Sequence, residues 1–196
     1  NEFERGENNP GRVLSQRMMS AAFAWHNYGH DTIGTRSDIE RVSNQQLRNF
    51  YDMYYQPDNA MLIVAGKFEV APTLKKITSS FGRFAKPKRA LPATYTAEPA
   101  QTVELGVVVR RVGGAPQVAI GYHTPAGSDV DAVPLDVLAS IMSSAPSGRL
   151  YKKLIDAKKA ASVSCGVRQH REAGFFMCRA ELQASDSMAE AKSVLV

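Results

Sequence analysis

The sequence predicts an α+β fold arranged in two units. Helical and strand periodicities come in groups, not in the strict strand–helix–strand alternation that a doubly wound sheet requires. Residues 82–102 break the pattern, with Pro87, Pro92 and Pro99, four basic side chains and no periodicity, the composition of an interdomain connection. A length of 196 residues is enough for one large domain or two small ones, each with its own core.

The first helix follows from Asn9-Pro10, an N-cap residue with proline in the first helical position. Val13, Leu14, Arg17, Met18, Ala21, Ala22 and Trp25 then recur at helical spacing and predict a helix over Pro10–His26. Gly29 and Gly34 mark residues 27–35 as loop. Ser37-Asp38-Ile39-Glu40 and Ser43-Asn44-Gln45-Gln46 both fit a capping box, and the second opens a helix with Leu47, Phe50, Tyr51 and Tyr54 on one face. Gln56-Pro57-Asp58-Asn59 reads as a turn, Ala60 to Ala65 as a fully buried strand ended by Gly66, and Val70 to Phe81 as a helix through Leu74, Ile77 and Phe81.

Beyond the proline-rich stretch, Val103–Val112 and Gln117–His123 read as two strands joined at Gly113-Gly114-Ala115-Pro116. Helical spacing resumes over Asp131–Met142 and again from Ser147 to about Ala157. Strands are expected at Ala161–Arg168 and Gly174–Gln183, and Asp186 or Ser187 caps a closing helix. The expected organisation is a first unit over residues 1–84, a connection over 85–102 and a second unit over 103–196.

Composition narrows the function classes. Apolar content of 44% and charged content of 22% are ordinary for a globular protein. The longest apolar runs fall far short of the ~20 residues that span a bilayer, so no membrane span is expected. A net charge of +5 would suit an anionic partner, but the basic residues are scattered. The one cluster, Arg83, Lys86, Lys88 and Arg89, lacks the interleaved aromatics of a nucleic-acid binder and reads as a solvated connection. Cys165 and Cys178 lie on neighbouring predicted strands. They would pair if placed opposite each other, but their alternating apolar neighbours favour buried free thiols.

Few residues outside the N-terminus suggest chemistry. His26 and His30 stand four apart, as two metal-binding imidazoles on one helix face would, but Asn27 cannot act as a base and Gly29 leaves the helix. They read as loop-packing histidines at a helix exit. His123 and His170 are isolated, and Ser147-Gly148-Arg149 and Gly113-Gly114 match neither a nucleophile elbow nor a phosphate loop.

The opening Asn1-Glu2-Phe3-Glu4-Arg5-Gly6-Glu7-Asn8-Asn9-Pro10 is different. An acidic, Asn-rich start with no leading apolar element suggests a chain cut from something longer. This motif resembles the segment of the pitrilysin or insulinase-like inverted zincins, the M16-type zinc metallopeptidases, that supplies the distal glutamate ligand of a catalytic zinc. Tyr28-Gly29-His30 to Gly34, Asp38-Ile39, Tyr54-Tyr55-Gln56-Pro57-Asp58-Asn59-Ala60 and Leu62-Ile63-Val64-Ala65-Gly66 are similar to successive landmarks of that family. Ser147-Gly148-Arg149-Leu150-Tyr151-Lys152-Lys153-Leu154 is similar to a helix of its second domain. The resemblance runs in colinear order over nearly the whole chain.

The resemblance implies a clam-shell of related α/β sandwich units, the first of them incomplete here. Residues 1–84 would be the C-terminal part of the zinc-binding domain and 103–196 a second, truncated domain. It also implies that Glu2 is the metal-ligand glutamate, with Glu4 and Glu7 beside it in supporting or surface positions. The family's His-x-x-Glu-His pentapeptide, which supplies two ligands and the general base, does not occur in these residues. Zn²⁺ is therefore expected in the full-length parent and not on this chain alone, which should be inactive. The implied partners are a peptide or unfolded polypeptide substrate and the complementary half of the clam-shell. The family's substrate-orienting Arg and Tyr correspond to about Ile155 and Ser162, which can do neither job and fit the second domain of the catalytic half. The rival reading is a non-catalytic homologue acting as a partner or structural subunit. A bacterial periplasmic or extracytoplasmic location is the expectation.

Overall fold

The computed structural model describes residues 2–196; Asn1, which opens the Asn-Glu motif, lies outside the described residues. An antiparallel three-stranded sheet organises one of two compact units, formed by residues up to Ile33 together with 97–196. Its strands are β1 (Gln117–Thr124), β2 (Ser162–Arg168) and β3 (Gly174–Glu181), in the order β1-β3-β2. Side chains alternate between the faces of a strand. Phe176, Cys178 and Ala180 of β3 face one way, Phe175, Met177 and Arg179 the other.

The first face buries the larger core. Ala139 of helix α6 (Ala132–Ser143), Leu150, Leu154 in a π-helical turn (Tyr151–Asp156), and Ala191 and Leu195 of helix α7 (Met188–Leu195) pack on Phe176, Cys178, Ala180 and Leu182. The second face is covered by helix α2 (Pro10–Ala22), whose Met19 and adjoining Phe23 bury against Phe175. Helix α1 (Glu2–Glu7) precedes α2. The unit is thus helices on sheet on helix, with a core on each side.

The second compact unit, residues 34–96, is helical. Helix α3 (Arg36–Arg41) starts from a capping box between Thr35 and Asp38, and α4 (Asn44–Tyr54) from one between Ser43 and Gln46. A 3-10 turn (Pro57–Asn59) and helix α5 (Val70–Phe81) complete it. Arg89 holds Asp58 through both carboxylate oxygens at 2.7 and 3.0 Å. That hydrogen bond keeps the Asp58 carboxyl below its usual range, against the opposing effect of burial.

The α+β class and most of the predicted helices stand. The Met19 and Phe23 face of α2 finds its apolar partner in Phe175, which joins residues 2–33 to the later chain in one compact unit. Several expectations need correction. Ala60–Ala65 is neither buried nor a strand: Met61 and Ile63 are 85% and 77% exposed. Its apolar side chains have strand character, but a strand exists only where another strand supplies the ladder, and none among the described residues does. Val103–Val112 likewise forms no strand. The predicted helix over Pro10–His26 stops at Ala22, and α1 was not foreseen.

Cys165 and Cys178 are not free thiols. The β2–β3 register sets them directly opposite, with Cα atoms 4.1 Å apart, and they form a disulfide. Cross-linking residues 13 apart limits the unfolded chain by about 3 kcal/mol. Urea unfolding with and without reductant should differ by about 2–3 kcal/mol. Coincident curves would mean that the cysteines are unpaired in solution.

Candidate functional site

The acidic N-terminal segment folds as α1, six residues long, with Glu2 and Glu4 in its first turn, where carboxylates are favoured by the helix dipole. Arg111 donates to the Glu7 carbonyl at the end of this helix. Asn9 then caps α2, its side chain accepting the Arg12 amide hydrogen at 3.0 Å, and Pro10 takes the first helical position as expected. Glu2, Glu4 and Glu7 are exposed, so α1 presents carboxylates at the surface. At about 100° per residue, Glu2 and Glu4 point roughly 200° apart around the helix. One metal ion therefore meets only one of them.

Phe23 anchors the other end of this arm. Its ring packs edge-on to Tyr28, His123 and Phe175, with centroids 5.7, 4.7 and 6.0 Å away. Gly29 lies so close to the Phe23 carbonyl that a Cβ there would overlap it. The chain leaves α2 at this point because Glu98 captures the next three amides. Its carboxylate accepts from Ala24, Trp25 and His26 at 3.1, 2.8 and 2.9 Å. Burial works against the Glu98 charge, but those N–H groups, with His123 nearby, hold its carboxyl below the ordinary value. Sequence reasoning missed Glu98; the available signal was a lone acidic residue in a proline-rich, basic stretch.

A folded-state value below the unfolded 4.5 means that Glu98 stabilises the fold above that pH, and that the contribution is lost as pH falls through the lower folded value. Glu98→Ala should cost about 1–2 kcal/mol at pH 7, discounted for its partial exposure. The gap between wild type and variant should narrow as the pH falls below 4.5 and through the lower folded value. Chemical denaturation at a series of pH values checks both, and a gap that does not narrow as the pH is lowered would be the contrary result.

The histidines serve packing. His26 is buried, its Nδ1 accepting from the Tyr28 amide at 3.2 Å and its Nε2 lying 2.9 Å from Glu172. His123 Nε2 lies 2.7 Å from the Ala22 carbonyl, and His170 stacks on Tyr28 at 4.3 Å. Burial, then the charges of Arg168 and His26, lower the His170 pKa. His30 is exposed, so the His26–His30 spacing builds no shared site. Ile155 packs on the main core and Ser162 begins β2. Among the described residues no group of three or more His, Cys, Asp or Glu is placed to hold a metal ion. Glu2 offers one carboxylate with no ion pair among the described residues, a donor of the type zinc accepts but only one of the three protein ligands a catalytic site needs.

A model of the peptidase M16 inactive domain matches residues 41–196. The chain belongs to the peptidase M16 inactive-domain family. Glu2 precedes the matched range. The zinc protease PqqE of Helicobacter pylori is 31% identical over 160 residues, covering 81% of this chain and 36% of PqqE. A crystal structure of a protease from Helicobacter pylori superposes with a TM-score of 0.90 at 27% identity, over 98% of this chain and 47% of that one. A peptidase M16 inactive domain from Pseudomonas fluorescens shares the fold at 19% identity and a TM-score of 0.76, again over 98% and 47% of the two chains. The M16 chain described here thus spans about a third to a half of these relatives. No described helix is long and apolar enough to cross a membrane.

Proposed function

We propose that this M16 chain is a non-catalytic part of a zinc-dependent endopeptidase, contributing one metal ligand and part of the wall of an enclosed chamber in which peptides are cut. The observation that carries this reading is Glu2, an exposed carboxylate on α1, in a chain of the M16 inactive-domain family. Two histidines from elsewhere in the parent would complete the ligand set, and the zinc would polarise the scissile carbonyl and activate water. Glu2 would supply a negative charge that helps to retain the ion. The motif order supports assigning residues 1–84 to the end of the zinc-binding domain and 103–196 to the next.

The exposed apolar run Met61–Val64 and the unpaired Val103–Val109 segment support a role for the rest of the parent, or of a partner subunit, as the complementary half that covers them. The Cys165–Cys178 disulfide supports an oxidising, extracytoplasmic compartment, since such bridges rarely persist in the cytosol. The test compares the 196-residue chain with its full-length parent. The parent should carry about one equivalent of zinc and cleave an unstructured peptide such as insulin B chain, while the shorter chain does neither. A parent with no zinc and no cleavage would favour the partner-subunit reading.

A further inference from the structure

We propose that the cleft between the start of α2 and the sheet beneath it binds a carboxylate of a peptide. The cleft encloses about 480 Å³, within the ~300–1,000 Å³ usual for ligand sites. Asn9, Arg12, Ser15, Asp31, Arg168 and Arg179 line it. Three guanidinium groups therefore face one carboxylate. Asp31 lies 3.5 Å from Arg12, while the guanidinium groups of Arg168 and Arg179 make no hydrogen bond or ion pair among the described residues.

Arg179 reaches the cleft from the central strand. It is half-buried on β3, flanked across the sheet by the small side chains of Ala119 and Ser164. Its guanidinium lies so close to Gly11 that a Cβ there would overlap Nη1, so the glycine makes room for the cation against the helix backbone. A half-buried cation with unfilled donors pays a desolvation cost that an anion would offset. Close by, the Gln117 side-chain oxygen is buried with no hydrogen-bond partner. Turning that amide by a half rotation would present its NH₂ group as one more donor.

The chemistry favours a carboxylate. The planar guanidinium fork matches its two oxygens, and Asp31 in the same cleft repels a dianion more strongly than a monoanion. The identity of the carrier as a peptide rests on the peptidase reading above. Its carboxylate has two sources, a free C-terminus or an Asp or Glu side chain.

The test is fluorescence anisotropy of a labelled decapeptide with the 196-residue chain, without added metal. Four forms of the peptide combine a free or amidated C-terminus with a central Glu or Gln. Arg179→Gln and Arg168→Gln should each weaken binding about tenfold or more, as loss of a charge-assisted pair does. The form whose affinity falls equally identifies the source. Arg168 lies at the exposed end of an edge strand, so its variant reads the site even where Arg179→Gln perturbs folding. Equal binding of the amidated Gln peptide, or wild-type binding by folded Arg168→Gln, would overturn the proposal. Tighter binding of inorganic phosphate than of any peptide would overturn the ligand class. Because nothing is cleaved in this assay, its failure is separate from a failure of the parent to act as a peptidase.

Discussion

Replacing Glu2 with glutamine in the full-length parent is expected to remove zinc and peptidase activity together while leaving the fold intact. The change keeps the side chain's size but deletes the charge that holds a divalent ion in a three-ligand site. The fold should survive because Glu2 is exposed on the first turn of α1 and belongs to neither core. Glu4→Gln and Glu7→Gln should cost far less. The helix turns each of them away from the direction Glu2 faces, and a carboxylate outside the ligand set can only orient or solvate. Zinc content and peptide turnover of the three variants, measured side by side, decide the matter. Normal metal and turnover in Glu2→Gln, with both lost in a neighbour, would move the ligand to that neighbour.

The second large effect is structural. Phe23→Ala should destabilise the unit formed by residues 1–33 and 97–196 by about 3–5 kcal/mol, the usual cost of emptying a buried aromatic site. Phe23 is 2% exposed and touches rings from α2's exit, β1 and β3 at once. Tyr28, His123 and Phe175 would each lose a ring contact at once. Denaturant unfolding measures the loss. Freed amide protons over residues 10–30, read by hydrogen exchange, would locate it at the seat of α2. A loss under 1 kcal/mol would mean that α2 is held mainly by its hydrogen bonds.

Local signals read correctly from the residues. Asn9-Pro10 begins α2, Ser43 to Gln46 caps α4, and the strand expected over Gly174–Gln183 forms as β3 at the centre of the sheet. What the sequence hid was non-local. Ala60–Ala65 has the composition of a buried strand, but pairing depends on other strands, which composition cannot supply. The end of α2 is decided by Glu98, more than 70 positions away, so helical spacing ran on to His26. Cys165 and Cys178 each sit among apolar neighbours that suit a free thiol, and only the register of β2 on β3 makes them a pair. For the candidate site, the proposal of Glu2 rests on its motif, whereas no motif marks the cleft around Arg179. Arg12, Arg168 and Arg179 are scattered along the chain and converge only through packing of α2 on the sheet.

On the proposed function, a carboxylate of this chain completes a zinc site whose other ligands lie elsewhere in the parent. Anomalous diffraction at the zinc edge from crystals of the full-length protein tests it most directly. The expected map has a single strong zinc peak with a Glu2 carboxylate oxygen at about 2.0–2.2 Å and two imidazole nitrogens from outside residues 1–196. A zinc peak with its ligand set complete and Glu2 turned to solvent would contradict it.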